Sequence, residues 1–135
     1  MIKGVQLGKE IVVTVANKVG VLADMSRIAA ESKVNIEAVA GYAGGSEAKI
    51  MLVTNDNACV AGALKKAGYS SLKEGSVVLV DLENKIGALK GATAKLAAEH
   101  IDIKYIYGAV CSAGCPSRIV ISSDNNEKAI AALKK

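Results

Sequence analysis

The chain has 135 residues and a net charge of +4, and hydrophobic residues make up 51% of it. This length allows one medium domain or two small ones with a buried core, but polar residues and glycines interrupt every apolar run before the ~20 residues of a membrane span. The absence of Trp and Phe leaves few stacking platforms for single-stranded nucleic acid. We therefore expect a soluble protein that binds neither a membrane nor nucleic acid.

The three cysteines, Cys59, Cys111 and Cys115, are an odd number, and the first residues of the sequence contain no secretory signal. Both observations favour reduced thiols and a cytoplasmic location. Cys111 and Cys115 lie on a predicted hairpin tip that contains Gly114 and Pro116. They do not make up the four ligands of a usual zinc site, so we predict no metal and no other cofactor.

An internal repeat dominates the sequence. Residues 17–22 recur as 84–89, and residues 34–36 recur as 101–103, both at a displacement of 67. Residues 49–52 match 118–121 at a displacement of 69, which places a two-residue insertion in the loop between these segments. The repeat favours two units over a single domain, and we place them at residues 1–73 and 74–135.

The first unit alternates between strand and helix periodicity in a fixed order. We predict strands at residues 11–15, 34–43, 50–54 and 69–72, with a hairpin turn at Gly44-Gly45. One helix follows the first strand, and a second is capped within residues 55–57 and ended by Gly68. The predicted inward-facing helix residues are Leu22, Met25, Ile28 or Ala29, Val60, Ala63, Leu64 and Ala67.

The second unit repeats this order with strands at 77–82, 101–110 and 119–122, a helix carrying Leu89, Ala92 and Leu96, and a last helix from about Asn126. No residues remain there for a fourth strand, whereas residues 2–7 have no role in their own repeat. We expect residues 2–7 to be the edge strand of the second unit; a frayed amino terminus is the alternative. The predicted fold class is α+β, with two ferredoxin-like βαββαβ units that have antiparallel sheets and helices on one face.

One motif carries the family resemblance. Asn-Lys-x-Gly-x-Leu follows a strand, and an amphipathic helix and then Val-Asn-Ile or Ile-Asp-Ile come next, at residues 17–36 and again at 84–103. In this pattern the chain resembles the ACT-domain family, in particular small stand-alone proteins made of two ACT units. The resemblance implies a regulatory protein that binds an amino acid where ACT units meet, forms a homodimer and signals to a partner enzyme or transporter.

The glycine loop has a physical reason to bind such a ligand. The first N–H groups of a helix lack intrahelical acceptors and carry the positive end of its dipole, which suits a carboxylate. The resemblance implies one site lined by Asn17, Val19, Gly20, Val21 and Leu22, and a twin site lined by Asn84, Ile86, Gly87, Ala88 and Leu89. The alternative is that Asn and Gly only form a turn and a cap.

The resemblance also implies that the polar residue opening the second strand reaches the ligand from a neighbouring unit. Those positions are Asn35 and Asp102, and the Asp102 carboxylate could hold a free ammonium group. The pocket is expected to be small and aliphatic, which favours a small or branched aliphatic amino acid. We find no nucleophile with a partner histidine and no phosphate-binding loop, so we predict no enzyme activity. The alternative function is a structural regulatory subunit of an amino-acid-metabolism enzyme that binds no ligand.

Overall fold

The structure is a computed structural model that describes residues 1–109 and 115–135. The chain forms two compact units, which we call the first-repeat unit (Lys9–Gly75) and the second-repeat unit (Met1–Gly8 together with Ser76–Lys135). The units therefore divide two residues later than the predicted boundary after residue 73. Met1–Gly8 belongs to the second-repeat unit, in which we expected residues 2–7 to form the edge strand.

The described elements follow the predicted order. They are β1 (Ile2–Ala16), α1 (Val21–Glu31), β2 (Ile36–Gly44), β3 (Glu47–Thr54), α2 (Asn57–Lys66), β4 (Leu72–Leu82), α3 (Ala88–Ala98), β5 (Ile103–Ala109), β6 (Ser117–Ser123) and α4 (Asn126–Lys134). In the described part of the chain, every helix is too short or too polar to cross a bilayer.

Strands β1 and β4 are longer than the sequence pattern predicts. Residues 2–7 and 11–15 belong to one strand of 15 residues, and the predicted strands at 69–72 and 77–82 are replaced by one strand of 11 residues that begins at Leu72. Both strands contain glycine but no proline. A glycine can adopt the extended backbone of a strand, whereas a proline would remove a hydrogen bond between strands. The side chain of Leu79 occupies the space beside Gly8, 2.6 Å from the position of a Cβ there.

The first-repeat unit has the strand order β2-β3-β1-β4, and β3 pairs antiparallel with both β1 and β2. Alternate residues of β1 and β3 face α1 and α2, because side chains of a strand alternate between its two faces. The core consists of Ile11, Val13, Val15, Met25, Ile28, Ala29, Val34, Ile50, Leu52, Val60 and Leu64. Leu22 and Ala67, which we expected to face inward, are exposed, because the buried stripe of each helix is narrower than its apolar stripe.

The second-repeat unit has the equivalent order β5-β6-β4-β1, in which residues 2–8 of β1 lie beside β4. Its core comprises Val78, Val80, Leu82, Ala88, Ala92, Leu96, Ile101, Ile121, Ala129, Ala132 and Leu133, with Ile2 and Val5 packed against it. Leu89 is 50% exposed and does not join this core. The ferredoxin-like α+β fold with antiparallel sheets is confirmed.

The cysteines differ from the sequence-based expectation. Cys115 is disulfide-bonded, so the prediction of reduced thiols is wrong for this residue, whereas Cys59 is a free, exposed thiol. An odd number of cysteines excludes complete pairing, but it does not exclude a single disulfide. Cys111 and Gly114, which we placed on a hairpin tip, lie outside the described residues.

A polar contact ties the segment between α2 and β4 to α1. The Tyr69 hydroxyl donates a hydrogen bond to Asp24 Oδ2 at 2.5 Å, and Arg27 pairs with both Asp24 and Glu31 along α1. The hydrogen bond from Tyr69, with a smaller contribution from Arg27, lowers the pKa of Asp24. The same hydrogen bond, together with desolvation, raises the pKa of Tyr69.

We predict that Val5→Ala destabilises the second-repeat unit by roughly 1 kcal/mol, because it removes apolar contacts with the core of that unit. Chemical denaturation followed by amide NMR measures this change for each unit. Leu7→Ala is the matched control, because Leu7 is on the same strand but 52% exposed. Equal stability of the two variants would contradict a structural role for the first residues.

We also predict that Tyr69→Phe flattens the acid limb of the pH–stability profile. A carboxylate whose pKa is lowered by folding stabilises the fold above its unfolded pKa, and that contribution is lost as the pH falls through the folded pKa. Thermal unfolding between pH 6 and 3 should therefore show a smaller fall for Tyr69→Phe than for the wild type. Tyr42→Phe, at an exposed tyrosine, should keep the wild-type profile; identical profiles for all three proteins would refute the contact.

Candidate functional site

A glycine makes the corner between strand and helix in both repeats. Gly20 precedes α1 with φ 92°, and Gly87 precedes α3 with φ 87°, a conformation that side-chain-bearing residues adopt at a cost. Among the described residues no side chain caps either helix, whereas Asp56 caps α2 and Asn125 caps α4. The first amides of α1 are therefore available to a ligand in a way that those of α2 and α4 are not. In α3 the Ala88 N–H already donates to the Lys85 carbonyl at 3.2 Å.

Asn17 holds the first-repeat corner against the hairpin turn between β2 and β3. Its backbone N–H donates to the carbonyl of Ser46 at 2.8 Å, and its side-chain Nδ2 donates to the carbonyl of Gly45 at 3.3 Å. Asn17 thus contacts a distant hairpin and does not cap α1. These two bonds fix the distance between the loop and the end of β2, where a pocket lies.

The pocket of the first-repeat unit has a volume of about 430 Å³ and lies between the glycine loop, the first turn of α1 and the outer part of β2. It is lined by Ala16, Asn17, Lys18, Gly20, Val21, Leu22, Val39, Ala40, Gly41, Tyr42, Ala43, Ala48 and Ile50. The lining is mostly aliphatic, and the polar groups are concentrated at the loop. A carboxylate at the loop and an apolar side chain against the strands would match this distribution.

Gly41 opens the floor of this pocket. It pairs with Ile50 across β2 and β3, and a Cβ at Gly41 would lie 3.0 Å from Ile50 Cδ1. The lack of a side chain therefore leaves space above Ile50. The irregularity of β2 lies between Ile36 and Ala38 and does not involve Gly41.

The second-repeat unit has a smaller pocket of about 220 Å³ in the equivalent place. Its lining residues are Leu82, Glu83, Asn84, Lys85, Ala88, Leu89, Gly108, Ala109, Ser117 and Ile119. Gly108 again leaves space for an isoleucine, because a Cβ there would lie 2.5 Å from Ile119 Cδ1. The same construction therefore occurs twice, from residues that correspond in the repeat.

The charges of the two pockets differ. In the second-repeat pocket the Lys85 ammonium lies 2.9 Å from the Glu83 carboxylate, and this contact lowers the pKa of Glu83 and raises that of Lys85. In the first-repeat pocket the residue equivalent to Glu83 is Ala16. Lys18 forms no ion pair with any residue in the described ranges, so the first pocket is the more favourable one for an anion.

Most of the predicted loop residues line these pockets, but some do not. Val19 and Ile86 point into solvent, with relative exposures of 107% and 101%, and neither they nor Gly87 lines its pocket. Their neighbours Asn17, Gly20, Val21, Leu22, Asn84, Ala88 and Leu89 do.

Asn35 and Asp102 lie at the opposite ends of their strands from the pockets. The Asn35 N–H donates to Asn55 Oδ1 at 2.9 Å, and the Asp102 N–H donates to Asp124 Oδ1 at 3.1 Å. Asn35 is six residues before Gly41, which is roughly 20 Å along a strand. Neither residue lines the pocket of its own unit.

The sequence analysis missed the pocket residues on the strands, namely the outer part of β2, Ala48 and Ile50, and it also missed Lys18. The signal for these residues was in the repeat, since Gly41 matches Gly108 and Lys18 matches Lys85. Within residues 1–109 and 115–135 no group of three or more His, Cys, Asp or Glu side chains could hold a metal ion.

Comparisons with solved structures show the same fold elsewhere. Protein BT0572 from Bacteroides thetaiotaomicron aligns with a TM-score of 0.86 and 24% identity over 96% of this chain and 88% of that chain. The ligand-free regulatory subunit of aspartate kinase from Thermus thermophilus aligns with a TM-score of 0.68 and 16% identity over 98% and 96%. The corresponding subunit from Thermus flavus aligns with a TM-score of 0.62 and 16% identity over 98% and 96%.

Neither a family model nor a curated protein sequence matches the chain. The solved structures share the ferredoxin-like arrangement across nearly their whole length. The sequence identities to these structures are 24% or less, so the similarity shows the fold of the chain alone.

Proposed function

We propose that the protein is a regulatory, non-catalytic protein that binds a small amino acid in the glycine-loop pocket. The main support is the duplication of one construction, in which an uncapped helix begins at a positive-φ glycine beside a pocket floored by a strand glycine and an isoleucine. The fold shared with regulatory subunits of aspartate kinase adds support. A catalytic role would instead need a nucleophile or an acid–base pair in the pocket.

The chemistry of the first-repeat pocket suits an α-amino acid with an aliphatic side chain. The first amides of α1 and the Lys18 ammonium would hold the carboxylate. Leu22, Ala48 and Ile50 would contact the side chain, and the lack of Trp and Phe in the chain favours an aliphatic ligand over an aromatic one. The Glu83 carboxylate in the second pocket would repel the same ligand carboxylate, so we assign the main site to the first repeat.

Asn35 and Asp102 enter this proposal only through a second copy of the chain, because each lies far from the pocket of its own unit. In a homodimer, Asp102 of one copy would bind the ligand ammonium and thereby link ligand binding to assembly. An enzyme of amino-acid metabolism is the proposed recipient of the signal, by analogy with the aspartate kinase subunits that share the fold.

A structural subunit that binds only a partner enzyme is the second candidate. The observation in its favour is the full exposure of Val19 and Ile86 at both loop tips, where a protein surface could cover them. This candidate predicts no response to any amino acid.

The decisive experiment measures thermal stability with each of the twenty amino acids in turn. A true ligand at about one hundred times its Kd stabilises the protein by about 2.7 kcal/mol, and we expect this for a small aliphatic amino acid. Leu22→Asp should abolish the response, because it places a carboxylate in the pocket. Ala23→Asp is the matched control, since it adds the same charge to an exposed neighbour that does not line the pocket.

If no amino acid stabilises the wild-type protein, the sensor proposal is wrong and the structural-subunit candidate is favoured. If an amino acid stabilises the wild type and Leu22→Asp equally, ligand binding occurs elsewhere in the chain.

A further inference from the structure

The two repeats differ in one partly exposed ion pair between neighbouring strands. In the second-repeat unit, Asp81 on β4 lies directly opposite Arg118 on β6. The guanidinium donates two hydrogen bonds to the carboxylate, from Nε to Oδ1 at 2.9 Å and from Nη2 to Oδ2 at 3.1 Å. Both side chains are about one-third exposed, so the cation is neutralised within its own sheet.

The first-repeat unit keeps the cation and lacks the carboxylate. Thr14 takes the place of Asp81 and lies directly opposite Lys49, which takes the place of Arg118. Lys49 forms no ion pair within the described residues. Glu47 stands two residues before it on β3, yet it lies beyond ion-pair distance of Lys49 and does not line the adjoining cleft. A positive charge that is neutralised in one repeat is therefore left without a carboxylate in the other.

A cleft of about 460 Å³ adjoins this position. Its polar lining residues are Thr14, Ser70, Ser71, Lys49 and Lys73, and no described Asp or Glu lines it. The Thr14 N–H donates to the Ser71 carbonyl at 2.9 Å, which fixes one wall against the other. Hydroxyl and ammonium groups can donate hydrogen bonds to an oxyanion, and without an acid in the lining no carboxylate would repel it.

We propose that this cleft binds an oxyanion, the carboxylate or phosphate group of a small molecule, in the position that the Asp81 carboxylate takes in the second repeat. Thr14 lies on the opposite face of β1 from Val13 and Val15, which face the helices. The oxyanion cleft and the glycine-loop pocket share no lining residue. The site is therefore additional to the proposed amino-acid site and does not depend on it.

The test is an amide NMR titration of the full-length chain with inorganic phosphate and, separately, with succinate. Sodium chloride at matched ionic strength provides the control for general screening. We expect saturable shifts of the Thr14, Ser70 and Ser71 amides with at least one of the two anions. The anion that saturates at lower concentration identifies whether the site prefers phosphate or carboxylate.

Two substitutions remove the site in different ways. Thr14→Asp supplies an internal carboxylate to Lys49, as Asp81 does to Arg118, and should weaken anion binding by at least about tenfold. Thr14→Asn is the matched control, because it has a similar size and no charge. Lys49→Gln, at an exposed residue, should weaken binding to a similar extent and serves if Thr14→Asp does not fold.

Shifts with phosphate and succinate that equal those with chloride would overturn the proposal. Undiminished anion affinity in Lys49→Gln would overturn it as well. Leu22→Asp should leave the phosphate and succinate titrations unchanged, so a failure of the amino-acid proposal and a failure of the oxyanion proposal can be told apart.

Discussion

A sharp turn from strand to helix, made by a glycine, is the constraint on which both repeats depend. Gly20 and Gly87 adopt φ values near 90°, which a residue with a side chain reaches only with strain. A glycine has no side-chain oxygen that could cap the helix that it precedes. The amino-terminal ends of α1 and α3 therefore lie beside a pocket without a cap from this residue. The residue that allows the turn thus also leaves a binding group available, which connects the fold to its chemistry.

The repeats preserve apolar positions and pocket-forming glycines while their charges diverge. Gly41 and Gly108 occupy equivalent positions and leave space for an isoleucine in both units. Asp81 and Glu83 of the second repeat have no acidic counterpart on β1, where Thr14 stands for Asp81 and Ala16 for Glu83. Substitution at these positions is tolerated because a partly exposed polar side chain contributes less to stability than a core side chain does. Divergence of function between the repeats can therefore proceed without loss of the fold.

The candidate site was predictable in part. The repeated motif identified the loop at both corners, since a glycine followed by an amphipathic helix is a local signal. The strand residues of the pocket were missed because β2 reaches the loop through pairing with β3, which is a non-local contact. Val19 and Ile86 were included because they adjoin the glycines in sequence. In the structure their side chains point outward, because a tight turn directs adjacent side chains to different sides.

The sequence by itself determined the order of strands and helices, the duplication and the ferredoxin-like class, because hydrophobic periodicity and capping residues act over a few residues. The tertiary structure alone decided that β1 and β4 each continue as one strand. It also left Leu22 and Leu89 exposed beside the pockets. Those outcomes depend on which distant segments pair and pack, and no local pattern of residues specifies such contacts.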